Sequence, residues 1–288
     1  MSRMDELDFS KPAGKPAAPA QPPVNLAAAL EFFRTSGVAE NVDTGTNIFV
    51  EDEKAGLFSF KSRKMYLLLE GEVNLIAANK LIGVVRAGEI FGEMAAISES
   101  PRAATAVAKV PCRLISMDDK GFHAALKAKP DFALTLLGMM INRLRGMLAR
   151  LPSAAALGEA KKEAKVFDRG LLAALAKGLG PTNSARYEKG KTIMTEGQAG
   201  AMMYVVLEGR VAVSIQGKVV ERVGPGGVLG EMALIDQSPR AASAMAETDS
   251  TLLTLNRGVF LQLVKTQPEF GVALLAATAE RVRFMASR

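Results

Sequence analysis

Two short segments of the chain each place a glutamate nine residues before an arginine, and this pair of side chains could bind an anion. The segment GEIFGEMAAISESPRAATAVA begins at residue 88, and GGVLGEMALIDQSPRAASAMA begins at residue 226. The guanidinium of Arg102 or Arg240 matches a phosphate, to which it donates two parallel hydrogen bonds. The ionised carboxylate of Glu93 or Glu231 only accepts hydrogen bonds, which suits a hydroxyl group. The two pairs therefore indicate a ligand that carries both a phosphate and a hydroxyl.

The residues around each glutamate predict a tight turn followed by a short helix. Gly92 and Gly230 let the backbone turn sharply out of a strand because they carry no Cβ. The residues that follow favour helix, and the unpaired N–H groups at a helix N-terminus attract phosphate. The small side chains of Ala95 and Ala233 would let a ligand approach these amides. The alternative is an internal ion pair between the glutamate and the arginine, but such a pair would not need the same glycine, alanines and proline twice.

The repetition extends well beyond these segments. Pro130 recurs as Pro268, 138 residues later, which is also the spacing of the two glutamates. Upstream the spacing is 145 residues, because Gly45 recurs as Gly190. The first copy therefore carries seven extra residues, which we expect to lengthen a hairpin within residues 52–64. A repeat of this kind predicts two homologous domains.

Each copy begins with short apolar runs between glycine-containing turns and then changes to helical periodicity. Residues at period two, such as Val211, Val213 and Ile215, are typical of strands. Residues 132–151 have apolar positions every three or four residues and predict a long helix, and residues 154–179 predict another. The predicted fold class is α+β, mainly β, with two tandem β-roll or jelly-roll domains, each followed by a long helix.

The same patterns divide the chain into three parts. Residues 1–24 are predicted to be a flexible tail rich in proline and alanine, 25–152 the first domain and 153–288 the second. Asn25 is expected to cap the first helix. The helical stretch over 131–179 joins the domains, and we expect it to be the element that changes conformation.

Composition excludes several classes of protein. The formal charge is +6, with basic residues scattered among nearly as many acids, so no basic stripe predicts nucleic-acid binding. No run approaches the ~18 apolar residues of a membrane span, and no secretory signal is present. The single histidine, His123, cannot build an imidazole metal site, and the single cysteine, Cys112, fits a cytoplasmic location. Kinase and P-loop motifs are absent as well, so neither an enzymatic activity nor a metal or other cofactor is predicted.

Both glutamate–arginine segments resemble the phosphate-binding cassette of the cyclic nucleotide-binding domain family, which includes catabolite activator protein and the regulatory subunits of cyclic-AMP-dependent protein kinase. The resemblance covers the strand pattern, FGEMA or LGEMA, SPRAA and the trailing helix. It implies that the glutamates hold the ribose 2′-hydroxyl and the arginines hold the cyclic phosphate. The implied ligand residues of site A are Gly92, Glu93, Met94, Ala95, Arg102, Ala103 and Ala104. Those of site B are Gly230, Glu231, Met232, Ala233, Arg240, Ala241 and Ala242.

The resemblance also bears on the base. Relatives tuned to cyclic GMP often carry a threonine directly after the arginine, where this chain has Ala103 and Ala241, so cyclic AMP is favoured. In the family the trailing helix covers the purine. The implied lid residues are Arg143 or Asn142 for site A, and Arg281, Thr278 or Phe284 for site B.

The resulting hypothesis is a cyclic-AMP receptor, not an enzyme, with two sites and a conformational change that regulates a separate, unidentified partner protein. One alternative is a degenerate scaffold that binds another nucleotide or nucleoside, or a protein-interaction module without a ligand. A cupin-like enzyme would need several histidine ligands, which this chain lacks. Site A is expected to be the less competent of the two, because Ala96 replaces the bulk of Leu234, which weakens the packing that relays binding to the trailing helix.

Overall fold

The protein is described by a computed structural model that covers residues 25–52, 63–98, 100–151, 153, 158 and 166–286. The first domain contains, in chain order, α1 (Leu26–Phe33), β1 (Val38–Val42), β2 (Asn47–Phe49), β3 (Met65–Glu70), β4 (Glu72–Ala77), β5 (Lys80–Arg86), β6 (Ile90–Phe91), α2 (Glu93–Ser98), β7 (Thr105–Ala108), β8 (Cys112–Met117), α3 (Asp119–Ala128) and α4 (Phe132–Arg150).

The second domain repeats this order after a preceding helix. It contains α5 (Arg169–Leu179), a turn of 3-10 helix (Pro181–Asn183), β9 (Ser184–Tyr187), β10 (Thr192–Met194), β11 (Met202–Glu208), β12 (Val211–Ile215), β13 (Lys218–Val223), β14 (Val228–Leu229), α6 (Glu231–Asp236), β15 (Ser243–Ala246), β16 (Ser250–Asn256), α7 (Arg257–Thr266) and α8 (Pro268–Ala286).

Each domain folds its strands into two four-stranded antiparallel sheets. The orders are β1-β8-β3-β6 and β2-β7-β4-β5 in the first domain, and β9-β16-β11-β14 and β10-β15-β12-β13 in the second. Alternate residues of these strands point inward, so each pair of sheets encloses an apolar core. The predicted fold class is therefore confirmed, and the two domains have the same topology.

A third core joins the helices of both domains. The side chains of α4 pack against α8, while α2 of the first domain contacts α8 and α6 of the second domain contacts α4. Among the described helices only α4 is long and apolar enough to cross a bilayer. Its buried residues, which include Leu136, Leu137 and Met140, belong to this shared helical core. Each trailing helix thus packs beside the cassette of the other domain.

The observed start of α1 agrees with the boundary predicted from the sequence, whereas the observed start of α5, between the domains, does not. The Asn25 side chain accepts hydrogen bonds from the backbone N–H groups at the start of α1, as expected of a cap. The predicted helix over 154–179 is wrong over 166–168, because α5 begins only at Arg169 with Asp168 as its cap. Phe167 instead lies in a non-helical segment, where its N–H donates to the Gly226 carbonyl and its ring stacks on Phe270.

The joint between the domains is therefore not one helix over 131–179. It contains α4 and α5, which are separate helices, and the rest of the predicted helix lies mostly outside the described residues. The tail over 1–24 and most of the predicted long hairpin lie outside them too. The domain boundaries drawn from the sequence stay a prediction.

Candidate ligand-binding sites

In each cassette the residue before the glutamate is a glycine with a backbone conformation that other residues rarely adopt. Gly92 has φ +71° and Gly230 has φ +81°, so the chain leaves β6 or β14 through a left-handed turn and enters the short helix at the glutamate. A Cβ on Gly230 would lie 2.5 Å from Nη1 of Arg240. A glycine is therefore needed for two reasons: it adopts the left-handed turn, and it leaves room for the arginine.

The guanidinium of Arg240 is buried and held by neutral groups. It is 6% exposed, and it donates to the carbonyl oxygens of Gly230 at 2.7 Å and Met202 at 2.5 Å. Among the described residues no carboxylate lies at ion-pair distance from it, and burial lowers its pKa even though Tyr204 and Glu231 partly offset that effect. A buried cation without a bonded anion is energetically costly, and such a site favours an anionic ligand.

Arg102 has the same geometry in the first domain. It is 7% exposed and donates to the carbonyl oxygens of Gly92 at 2.9 Å and Lys64 at 2.8 Å. Its guanidinium carbon also lies 4.2 Å from the centre of the Phe49 ring, a cation–π contact. The two arginines are thus fixed at equivalent positions by equivalent carbonyl groups.

The glutamates are buried and pair with arginines of the trailing helices. Glu231 accepts a hydrogen bond from Nη1 of Arg281 at 2.6 Å, and Glu93 accepts one from Nη1 of Arg143. In site B the internal pair weighed as the alternative is therefore not formed, since the carboxylate turns to α8 and Arg240 to the main chain. The arginines of the trailing helices thus reach the cassettes by hydrogen bonding to the glutamates. The spacing of these residues along the sequence does not predict this pairing.

A cavity in the second domain gathers the predicted residues of site B. All seven predicted site B residues lie in its wall, and with its open mouth it encloses about 790 Å³ of empty space. Apolar side chains from the strands, including Met194, Val213 and Ile215, form the opposite wall. Polar groups that converge at one end of an apolar cavity are typical of a small-molecule site.

The sequence comparison agrees with this geometry in both domains. The model of the cyclic nucleotide-binding domain matches residues 40–129 and 184–267, which together are more than half of the chain. The chain belongs to the cyclic nucleotide-binding domain family. Its two domains are tandem members of this family, and the cassettes occupy the same place in each.

Several curated members of the family are similar to this chain. The regulatory subunit of cAMP-dependent protein kinase from Yarrowia lipolytica is 29% identical over 77% of this chain and 52% of its own length. The cyclic AMP receptor protein of Thermus thermophilus is 36% identical over 34% of this chain and 47% of its own length. The chain thus spans about half the length of these relatives.

Solved protein structures are also similar to this chain. The regulatory domain of Toxoplasma gondii protein kinase A with cAMP is 21% identical, with a TM-score of 0.29 over 80% of this chain and 83% of that chain. The catabolite activator protein of Thermus thermophilus is 33% identical, with a TM-score of 0.33 over 37% of this chain and 56% of that chain. The family assignment rests on the sequence match in both domains.

In this cyclic nucleotide-binding domain protein the cavity of site B is also lined by the other domain. Leu144 and Leu148 of α4 lie in its wall, together with Phe284 and Met285 of α8. The sequence does not predict the position of these two leucines, because their apolar spacing identifies a buried helix face but not the neighbour that it meets. Both trailing helices therefore contribute to the wall of this cavity.

The predicted lid residues lie in different places. Arg281 and Phe284 line the cavity, whereas Thr278 does not. Thr278 is 1% exposed inside the helical core and its hydroxyl donates to the Leu274 carbonyl at 2.8 Å. Asn142 lines a different cavity, between α4, α6 and α7. The structure therefore places Thr278 outside the cavity of site B and Asn142 in another cavity, and the lid assignments stay predictions.

The predicted residues of site A are also assembled around one cassette. Glu93, Ala95, Arg102 and Ala104 are buried there, Gly92 and Met94 are half-buried, and Ala103 is exposed. Contact of any of these residues with a ligand stays a prediction, as it does in site B.

Proposed function

We propose that this protein is a receptor, not an enzyme, that binds cyclic AMP in both domains and regulates a separate partner protein through a change of conformation. One observation carries the proposal. Arg240 is a buried cation bonded to carbonyl oxygens, and it lies in a cavity beside a buried glutamate.

The cyclic phosphate would supply the charge that Arg240 lacks. An anion bonded to the guanidinium opposes the desolvation that lowers its pKa, and charge-assisted hydrogen bonds to phosphate are among the stronger ones. Arg102 donates to the equivalent carbonyl oxygens in the first domain, and this matching geometry supports a phosphate site there as well. The ribose 2′-hydroxyl would donate to Glu231 or Glu93.

The apolar part of the cavity would hold the purine. Val213 and Ile215 lie on the strand side, and Leu144 and Leu148 lie on the helix side. Ala241, directly after the arginine, brings no hydroxyl that could accept from a guanine amino group. These features support an adenine base.

Ligand binding would act on the helices through the glutamates. A hydroxyl bonded to Glu231 shares the carboxylate that now holds Arg281 of α8, and α8 packs against α2 and α4 of the first domain. The ligand can therefore favour one placement of the helices over another, which is a shift between populations. A partner protein that binds one placement would sense the ligand.

Calorimetry on nucleotide-free protein tests the two sites. Titration with cyclic AMP is expected to give two sites in the unchanged protein and one site in either Arg102→Ala or Arg240→Ala, because each substitution removes the guanidinium placed for the phosphate in its cassette. Arg222→Ala is the matched control, since Arg222 pairs with Glu247 on the surface and should leave two sites. Absence of binding to the unchanged protein, or an unchanged titration of Arg240→Ala, would contradict the proposal.

A thermal-shift series tests the ligand class. Cyclic AMP, cyclic GMP and adenosine are each added to the same nucleotide-free protein. A ligand present at ~100 times its dissociation constant adds about 2.7 kcal/mol of stability and raises the melting temperature. We expect the largest shift with cyclic AMP. A larger shift with adenosine would instead support the degenerate scaffold, because a nucleoside has no phosphate for the arginines.

A further inference from the structure

The cavity of the second domain contains a carboxylate that the cassette pattern does not include. Glu221 lies on β13, is 9% exposed and lines the cavity. Its two carboxylate oxygens accept hydrogen bonds from Arg281, from Nε at 3.2 Å and from Nη2 at 3.4 Å. Arg281 is therefore held by Glu221 on one side and by Glu231 on the other.

The equivalent position of the first domain carries no carboxylate. The residue 138 positions earlier is Gly83 on β5. The strand registers agree, because Gly83 pairs with Leu75 and Glu221 pairs with Val213. A Cβ at Gly83 would lie 4.0 Å from Cδ1 of Leu75, and its φ is not in the left-handed region. The first domain therefore has room for a side chain at this position.

The two helix arginines consequently differ in their partners. Arg281 also donates from Nη2 to the Val228 carbonyl at 2.8 Å. Burial alone would lower the pKa of Arg281, but the carboxylates of Glu221 and Glu231 outweigh burial and raise the pKa above its ordinary value. Arg143 has Glu93 as its one carboxylate partner among the residues that the structure describes.

We propose that Glu221 positions Arg281 so that α8 stays on the cassette while Glu231 binds the ligand hydroxyl, and that this second carboxylate slows release of the ligand from site B. The inference rests on the proposed binding of cyclic AMP. Without Glu221, a buried guanidinium would share its single carboxylate with the ligand, and this loss of charge compensation would favour departure of the helix. Site A is in that situation already.

The test measures the dissociation of a fluorescent cyclic-AMP analogue after mixing with excess unlabelled cyclic AMP. Site B is observed in an Arg102→Ala background and site A in an Arg240→Ala background. Glu221→Gly should speed dissociation from site B about tenfold, the effect of losing a hydrogen-bonded charged partner. Glu221→Gln should have a smaller effect, because the amide oxygen still accepts from Arg281 without the charge.

The reciprocal substitution separates positioning from a general loss of stability. Gly83→Glu should slow dissociation from site A, a gain that a damaged fold cannot produce. Glu188→Gln removes the same charge from an exposed turn and should leave the rate unchanged. If the Glu221 and Gly83 variants bind with unchanged dissociation rates, the role of Glu221 is wrong while the proposed function stands. If neither background variant binds the analogue, the proposed function itself fails.

Discussion

The two domains share their sheet order and the coordination of the cassette arginine, yet they differ at a few positions beside the cassette. Leu234, Asp236 and Glu221 of the second domain occur as Ala96, Ser98 and Gly83 in the first. In each case the second domain has the larger or charged side chain. The repeated residues form the cassette of each domain, and these three divergent residues change the contacts between the cassette and the helices.

The clearest example of the difference is an ion pair between the domains. Arg145 of α4 contacts both carboxylate oxygens of Asp236 at the end of α6, with Nη2 3.1 Å from Oδ1. The equivalent positions are Arg283 on α8 and Ser98 on α2, which cannot form an ion pair. Arg283 instead lies 3.8 Å from Glu280 of its own helix. An ion pair therefore joins α4 of the first domain to the cassette of the second. The equivalent ion pair between α8 and the cassette of the first domain is not formed.

The largest expected effect concerns the packing of the cassette helix. Leu234 is 2% exposed in the shared helical core. Leu234→Ala installs the residue of the first domain, and it should lower the free energy of unfolding by about 3 kcal/mol, because the loss of buried methyl groups leaves a cavity. Urea denaturation measures the change. Leu81→Ala is the control, since Leu81 is 61% exposed, and a similar cost for both variants would show that Leu234 does not anchor the helix.

The repeated framework could be predicted from the sequence because its causes are local. Turn glycines such as Gly230, strands at period two and the cap at Asn25 each depend on a few neighbouring residues. The cassette pattern also predicts seven residues of site B, and all seven line one cavity. The sequence does not predict the arginine's carbonyl partners, since Met202 at the start of β11 lies 38 residues before Arg240, which is in the loop that precedes β15.

The lids and the contacts between domains could not be predicted in the same way. Helical periodicity identifies the buried face of α4, but it does not distinguish a face on its own cassette from one on the other domain. Thr278 does not line the cavity of site B, because its hydroxyl donates to the backbone of its own helix. The helix that begins at Arg169 was predicted too long because Phe167 packs on Phe270, a contact that propensity does not contain.

The ion pair between the domains gives the second effect in size. Asp236→Ser installs the residue of the first domain and leaves Arg145 without its carboxylate. The two side chains are 19% and 12% exposed, so the loss of stability should be below that of a fully buried pair, at about 2 kcal/mol. A double-mutant cycle with Arg145→Ala, measured by urea denaturation, isolates the pairwise energy.

The reciprocal substitution tests whether the first domain can form the equivalent ion pair. Ser98→Asp places a carboxylate at the equivalent position of α2, opposite the helix that carries Arg283. If α8 packs on α2 in the same way as α4 packs on α6, the introduced carboxylate and Arg283 can form an ion pair. A double-mutant cycle between Ser98→Asp and Arg283→Ala should then give a favourable coupling energy. A coupling energy near zero between Arg145 and Asp236 would show instead that their contact does not connect the domains energetically.

The smallest effect concerns the lid that the first domain contributes to site B. Leu148→Ala shortens an apolar side chain in the wall of the cavity while keeping a good helix former. Loss of apolar contact with the ligand should weaken cyclic-AMP binding at site B about fivefold, which corresponds to about 1 kcal/mol. Calorimetry in the Arg102→Ala background measures this affinity alone.

The neighbouring residue Met147 provides the control for that lid. It is half-buried on the same helix and packs against the shared core, but it does not line the cavity. Met147→Ala should therefore reduce stability without changing the affinity of site B. If both variants weakened binding equally, the leucine would act by destabilising α4 rather than by covering the base. A selective effect of Leu148→Ala would mean that a ligand in the second domain contacts the first domain directly, so that coupling between the domains begins at the ligand.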